Sequence, residues 1–337
     1  MKNERSKETL ELRQDPITRE WVIISTGRAQ RPESFKSHHM AASETPINLC
    51  PFENPQEHGN TVVKTYGVSD HDWAVKVVKN KFPIVSGQNC GFEKRIGPYA
   101  SNEAAGQHEV VIFKDHHKSL AQLETADVGR IVAVFKERYL ELAKMPCANY
   151  VLIFFNHGRE AGASISHPHA QIMALSFVPA DIRRSLDGSK RYYSERGRCA
   201  NCDMLSWELK EKKRLVFEND YFAALVPYAP KFSYEIRIFP KKHWPYFEET
   251  EDVKLKDFAE ALKVSLAKIY NGLNNPAYNF FIHTPPAERD HEYDYYHWHL
   301  KINPRLAVWG GFELGTGSDV IDVDPDEAAK FLRSVKI

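Results

Sequence analysis

One series of signals occurs twice in this chain in the same order, and that repetition restricts the fold to two copies of one unit. In the first pass, Cys50 and Glu53 form C-x-x-E, the strand-like pair Ile112-Phe113 leads to His116, and an amphipathic segment follows. Residues 150–155 then read as an apolar strand, and the pass closes on His167-Pro168-His169. In the second, Cys199 and Cys202 form C-x-x-C, Ile238-Phe239 leads to His243, a helical segment precedes a strand-like 278–283, and the close is His297-Trp298-His299. Cys50 to His116 spans 66 residues against 44 for Cys199 to His243, whereas His116 to His167 spans 51 against 54 for His243 to His297. The loops drift and the ligand-type residues persist, which marks an internal duplication of an α+β unit.

Periodicity fills in the unit. Val128, Ile131, Phe135, Tyr139 and Leu142 recur at helical spacing over residues 125–144, as do Leu255, Phe258, Leu262, Leu266 and Ile269 over 253–270. Residues 21–24, 74–78, 109–113, 223–227, 234–239 and 298–302 have strand character. Residues 11–25 read as a turn about Asp15-Pro16 leading into the strand at Trp21, and the charged, Tyr-rich 181–197 as a linker or short helix. The halves are therefore drawn as 1–180 and 181–337.

The chain has 337 residues, with 45 Lys plus Arg against 45 Asp plus Glu, so its formal net charge is +0. No global field concentrates a phosphate backbone or an anionic lipid surface, which argues against nucleic-acid and membrane partners and leaves anion binding to local pockets. The longest apolar run, 151–155, is far below the ~20 residues of a membrane span, and the charged N-terminus lacks a signal-like apolar stretch, so a cytoplasmic location is expected. Five cysteines, an odd number, indicate thiols or metal ligands rather than a disulfide framework.

Cys199, Cys202, His243 and His297 make a Cys₂His₂ set suited to tetrahedral zinc, unless the two cysteines are free thiols in a loop. Cys50, Glu53, His116 and His167 form the matching first-half set, in which a carboxylate replaces one thiolate and makes the site harder and weaker. On a strand His167 and His169 share a face with Gln171. A neutral imidazole there can attack an α-phosphorus and carry the nucleotidyl group covalently, splitting one displacement into two, while the Gln171 amide donates to a phosphoryl oxygen. Packing or metal ligation is the competing use of an H-x-H strand. Just upstream, the glycines and small residues between Asn156 and Ser164 permit close backbone approach to phosphates. Arg28 and Arg31 offer two guanidinium forks for phosphate or carboxylate, or are plain surface arginines. Asn80, Phe82 and Pro83 form either a nucleoside wall or an ordinary strand-ending turn.

His167-Pro168-His169-Ala170-Gln171, preceded by Gly162-Ala163-Ser164, resembles the active-site signature of galactose-1-phosphate uridylyltransferases, the nucleotidyl-transferase branch of the histidine-triad superfamily. The resemblance runs nearly the whole length, through Glu11-Leu12-Arg13, Asp15-Pro16, Trp21-Val22-Ile23, residues 28–32, Cys50-Pro51-Phe52 and Asp115-His116. It implies a duplicated α+β fold, mostly antiparallel sheet flanked by helices, and a ping-pong transfer of UMP between a UDP-hexose and a hexose 1-phosphate. In that scheme His169 is the nucleophile, Gln171 and Ser164 hold phosphoryl oxygens, Asn156 and Gly162 shape the pocket, and Asn80, Phe82 and Pro83 line the nucleoside site. It implies further that Arg28 and Arg31 serve a phosphate and dimer region, that Glu313 in Gly310-Gly311-Phe312-Glu313 meets a sugar hydroxyl, and that the protein is a homodimer.

Three departures stand out: Lys81 replaces an aspartate beside Asn80, Glu53 replaces a knuckle cysteine, and Asp319 lies near an expected glutamine. For the second metal, the better-known enzymes use histidines matching His283, His297 and His299 plus a glutamate. A plant-type branch resembling ADP-glucose phosphorylase uses C-x-x-C with two histidines. The residues around Cys199 and Cys202, Leu186-Asp187-Gly188 and residues 311–317 are more similar to that branch. Zinc at Cys199, Cys202, His243 and His297 is therefore favoured, and ADP-sugar phosphorolysis stands beside uridylyl transfer. A zinc-dependent nucleotide-binding module without catalysis is the rival from outside the enzymes.

Overall fold

Strands that alternate in polarity place one set of side chains on each sheet face, and here the two sets have different neighbours. The computed structural model describes residues 9–28 (of Arg28 the backbone only), 45–69, 72–87, 93–286 and 292–337. The first-half elements are β1 (Leu10–Gln14), β2 (Trp21–Ser25), β3 (Val62–Gly67), β4 (Trp73–Lys79), β5 (Lys94–Ile96), β6 (Tyr99–Ser101), β7 (Gly106–Phe113), α1 (Thr125–Leu142), β8 (Tyr150–His157) and β9 (His169–Leu175). They are followed by α2 (Ala180–Arg196), α3 (Ala200–Glu211), β10 (Leu215–Glu218), β11 (Phe222–Leu225), β12 (Ile236–Pro240), α4 (Leu255–Gly272), β13 (Tyr278–His283), β14 (His299–Pro304), α5 (Gly311–Thr316), β15 (Val320–Ile321) and α6 (Pro325–Ser334).

Ten of these strands form one sheet in the order β10-β11-β12-β14-β13-β8-β9-β7-β4-β3. Read outward from the central β13–β8 pair, the two sides repeat: β8-β9-β7-β4-β3 against β13-β14-β12-β11-β10. The expected duplication is thus a pair of five-stranded, antiparallel halves fused into one surface, with Phe155 opposite Phe280 at the seam. Ala170 and Ile172 of β9 and Leu300 and Ile302 of β14 face the main core, where α1 and α4 lay Ile131, Phe135, Leu262 and Leu266 across them. Burying those stripes is the main favourable term holding the layers together, at roughly 1.5–3 kcal/mol for each large apolar side chain. The interleaved residues His169, Gln171, His299 and Lys301 therefore stand on the other face, which α1 and α4 leave open.

A second sheet of β1, β2 and β15, the last parallel to β2, lies beside the second half and is tied to β12 by Arg237 reaching Asp15 at 3.4 Å. Residues 11–25 are thus a hairpin rather than a turn followed by one strand. Outward-facing Leu10 and Leu12 with buried Arg13 invert the usual apolar-in alternation, so β1 does not read as a strand. The stretch read as a linker or short helix is the 17-residue helix α2, whose Ile182 and Leu186 pack on Tyr150, Met173 and Leu175. Gly188 is needed there, since a Cβ would lie 2.1 Å from the Ile17 carbonyl oxygen of the hairpin. No described helix is long and apolar enough to cross a membrane.

Candidate functional site

Each half ends its β7-type strand beside a histidine cluster. In the first, the ligand atoms of Cys50, Glu53, His116 and His167 lie within 4.8 Å of one another, and the second holds Cys199, Cys202, His243 and His297 equally close. Backbone carbonyls fix the tautomers: His116 Nε2 donates to Thr45 O at 2.9 Å and His167 Nε2 to Phe113 O at 2.6 Å. Their Nδ1 atoms face each other at 3.2 Å with the Glu53 carboxylate 2.7 Å from one and 3.3 Å from the other. Two imidazole nitrogens converging with a thiol and a carboxylate make a donor set that could hold a metal cation. The second cluster repeats the design, with His243 Nε2 on Asp294 O at 2.8 Å, His297 Nε2 on Pro240 O at 3.0 Å, and both Nδ1 atoms 3.2 and 3.4 Å from Cys202 Sγ.

Cys199 and Cys202 are not in a loop. Cys199 is the N-cap of α3 and Cys202 sits in its first turn, so the helix N-terminus favours thiolate at this end. The neighbouring Cys202 thiol, and after it the adjacent His243 and His297, hold Cys199 well below the ordinary thiol range, while Cys199 and burial push Cys202 up. Both sets fit a tetrahedral divalent metal through the chemistry of their donors.

His169 opens β9 two residues beyond the first cluster. Its Nδ1–H donates to the His167 carbonyl at 2.9 Å, so Nε2 carries the free lone pair, and the Phe52 ring meets it edge-on with centroids 4.9 Å apart. Burial pushes its pKa down to about 4, keeping the imidazole neutral near pH 7. Gln171, one pleat along, is oriented by a residue that sequence reasoning missed. His108 Nε2 donates to Gln171 Oε1 at 2.8 Å, its Nδ1 accepts from Ile84 N at 3.3 Å, and the Asn80 amide lies against the same ring. With its oxygen so occupied, Gln171 has its NH₂ free to donate. No pattern along the chain marks His108; it meets Gln171 only because β7 pairs with β9.

The remaining expected residues divide. Asn80 joins this network, and Phe82, whose N–H donates to Asn80 Oδ1 at 2.9 Å, stands exposed with Pro83 on the loop after β4. Lys81 turns away to the His58 carbonyl. Gly162, with φ +88°, brings its backbone beside the Asn156 amide, and Ser164 is exposed on the same loop. Asn156 accepts from Asn279 at 2.8 Å across the seam. Glu313 accepts from Gly310 N at 2.9 Å and lines, with Asn156, a cleft of about 620 Å³ that spans the β8–β13 seam. Arg31 and the Arg28 side chain lie outside the described residues.

Two family descriptions cover this architecture: galactose-1-phosphate uridyl transferase, N-terminal domain, matches residues 2–179, and its C-terminal domain matches residues 185–316. The chain belongs to the galactose-1-phosphate uridyl transferase family. It is accordingly a nucleotidyltransferase by family. Among relatives, it is 37% identical to an ADP-glucose phosphorylase of Arabidopsis thaliana, over 97% of this chain and 93% of that one. It is 31% identical to a galactose-1-phosphate uridylyltransferase of Thermotoga maritima, over 97% and 99%. Among solved structures, an ADP-glucose phosphorylase from Arabidopsis thaliana with bound ADP-glucose superposes with TM-score 0.82 at 34% identity, covering 98% of this chain and all of that one. A uridylyltransferase does so with TM-score 0.73 at 28% identity, covering 97% and 98%.

Proposed function

We propose that this member of the family moves a nucleoside monophosphate from a nucleotide hexose to a phosphate-bearing acceptor through a covalent nucleotidyl-His169 intermediate. The observation that carries the reading is the His169 tautomer, with Nδ1–H held by a carbonyl and a neutral Nε2 on the open face. Attack by Nε2 on the α-phosphorus forms the N–P bond as the anhydride P–O bond breaks, and the hexose 1-phosphate leaves with that oxygen and the electron pair. The imidazolium so formed keeps its Nδ1 proton on the His167 carbonyl, which stabilises the charge. The Gln171 amide, held by His108, and the Ser164 hydroxyl serve the phosphoryl oxygens. An acceptor phosphate then attacks the same phosphorus and frees Nε2.

Zinc is the metal we assign to both sets, through Cys50, Glu53, His116 and His167 and through Cys199, Cys202, His243 and His297. There it acts as a structural cross-link: the first set fixes His167, whose carbonyl sets the His169 tautomer.

For the donor, the resemblance puts a UDP-hexose first, with galactose metabolism as the setting. A second reading, phosphorolysis of ADP-glucose, is favoured by a specific observation: the second set is built on Cys199 and Cys202, the arrangement of the plant-type branch, and the Arabidopsis relative is an ADP-glucose phosphorylase. The same reading includes a homodimer, with Glu313 meeting a sugar hydroxyl. Intact-protein mass spectrometry after brief incubation with UDP-glucose or ADP-glucose, at neutral to basic pH, tests the reading. A uridylyl or adenylyl adduct absent from His169→Ala identifies both nucleophile and base; no adduct from either donor overturns the covalent mechanism.

A further inference from the structure

The duplication puts one region of the second half in register with the proposed nucleoside wall of the first. His169 and His299 each stand two residues beyond a ligand-set histidine and donate Nδ1–H to its carbonyl, at 2.9 and 3.1 Å. Those histidines, His167 and His297, donate in turn to the carbonyls of Phe113 and Pro240, at 2.6 and 3.0 Å, which makes these two residues equivalent. Counting back along β7 and β12 matches Ile112 with Phe239 and Val110 with Arg237, and their strand partners match Val78 with Leu225. Two and four residues further on, Asn80 and Phe82 fall on Pro227 and Ala229. Phe52 and Asn201 are likewise equivalent, each two residues beyond the first cysteine of its set. In the first half Phe52 is buried against Val78, Val110 and Ile112. In the second, Asn201, Leu225, Pro227, Ala229 and Phe239 line an open cavity of about 440 Å³.

Helix α3 sets two unanswered acceptors in the wall of this cavity. Asn201 and Glu208, 2% and 6% exposed, both line it, and Asn201 Oδ1 and Glu208 Oε2 have no hydrogen-bond partner. Asn201 has spent its amide N–H on the His297 carbonyl at 3.4 Å, and Glu208 its other oxygen on Arg214 at 3.0 Å. A buried acceptor without a donor is costly, so a fold retains it where a ligand brings the donor. Seven residues at the helical rise set the two roughly 10 Å apart along α3, with Leu205 lining the cavity between them. Trp207, more than half exposed, and Tyr228, against whose ring Arg13 and Arg214 lie at 4.9 and 5.2 Å, add an aromatic wall. The cavity offers nothing to a phosphate, because both of its lining cations are taken: Arg214 by Glu208 and Asp326, and Arg237 by Glu235 and Asp15.

We propose that this cavity is a second site, separate from the nucleotidyl centre, for an amino-bearing nucleoside without phosphate, adenosine being the type. The exocyclic amino group donates to Asn201 Oδ1, the base lies over Leu225 and Phe239 against the Trp207 wall, and the ribose hydroxyls donate to Glu208, a use to which carboxylates are well suited. Donors at the two ends of a nucleoside thus meet acceptors at the two ends of the α3 face. Neither His169 nor Gln171 lines the cavity. The choice of a nucleoside rests on the reading of Asn80 and Phe82 as a nucleoside wall, whereas the cavity and its acceptors stand independently of it.

Calorimetric titration of the full chain with adenosine and with uridine tests it, in a Phe82→Ala background that weakens the first-half wall. Adenosine should bind that chain, and adding Trp207→Ala or Glu208→Gln should weaken it at least about tenfold. Uridine, whose base carries carbonyls and no amino group, should bind at least about tenfold more weakly than adenosine. With Phe82 intact, both substitutions should leave nucleotidyl labelling of His169 unchanged. Glu208→Gln places an amide donor where the ribose needs an acceptor, and the exposed Trp207 can be truncated without opening the core, so it remains informative if Glu208→Gln melts early. No binding of adenosine, undiminished binding in the folded variants, or equal affinity for uridine would each overturn the proposal. A missing His169 adduct with adenosine binding intact would refute the transfer mechanism alone.

Discussion

The Nδ1 atoms of His116 and His167 face each other at 3.2 Å, each ring locked by a carbonyl on its far nitrogen. Beside the Cys50 thiol and the Glu53 carboxylate these nitrogens form a set that could hold a metal cation, and His243 and His297 are locked on their far nitrogens in the same way.

The first prediction concerns that cation. Elemental analysis should find zinc at both sets of each chain, and Cys199→Ser should remove the second-half equivalent. Structural zinc is coupled to folding, so the variant should melt several degrees lower by roughly the 4–8 °C per kcal/mol scale of small domains, halved for a chain this long. The first set, with Glu53 for a thiolate, should surrender its metal to a chelator sooner.

His169 and His299 share geometry but not surroundings, for His299 stacks on Phe239 with centroids 5.0 Å apart and is 3% exposed. His169→Ala should therefore lower nucleotidyl transfer by roughly 10⁴–10⁶ while preserving the melting temperature, and His299→Ala should leave the covalent adduct in place. Peptide mapping of the labelled protein distinguishes them, and label on His299 would contradict the assignment.

His108 holds Gln171 by a 2.8 Å hydrogen bond, and its role in the proposed transfer would be to orient that amide. His108→Leu should free the Gln171 amide to rotate and cost about 10²-fold in kcat, close to the loss in Gln171→Ala, with the double variant no worse than either. Additive losses would mean that the two residues work independently.

Glu248 supplies a pH dependence of stability. Burial, assisted by the adjacent Glu249 charge, pushes its pKa up to about 7 from an ordinary value of 4.5. Between those values the folded chain holds a proton that the unfolded chain has released, so this contribution is complete below about 4.5 and is lost as pH rises through 7. Glu248→Gln should match wild type at pH 4.5 and exceed its stability above pH 7 by up to about 3 kcal/mol, read from denaturant melts at both pH values.

Much of the site was legible because its chemistry needs residue types that cannot be exchanged. Cysteine, histidine and the H-P-H-A-Q run announce themselves at fixed spacing, and the two helical stripes on residues 128–142 and 255–269 show their period directly. His108 was not legible, since a lone histidine among valines carries no pattern until β7 lies beside β9. Helix α2 was legible only as one of two alternatives, linker or short helix, because its apolar stripe is only Ile182 and Leu186 and the hairpin over Gly188 covers the remainder.

The sequence by itself determined the duplication, the two groups of Cys, Glu and His that come together, and the shared strand face of His169 and Gln171, because local spacing and side-chain chemistry suffice for these. Only the tertiary structure decided that the halves fuse at β8 and β13 into one sheet, and that Gln171 is turned by His108. It alone decided that equivalent positions are sealed on one side of the seam and open on the other. Those outcomes depend on which strand lies next to which and on what covers each face, relations between residues up to hundreds of positions apart that no periodicity along the chain encodes.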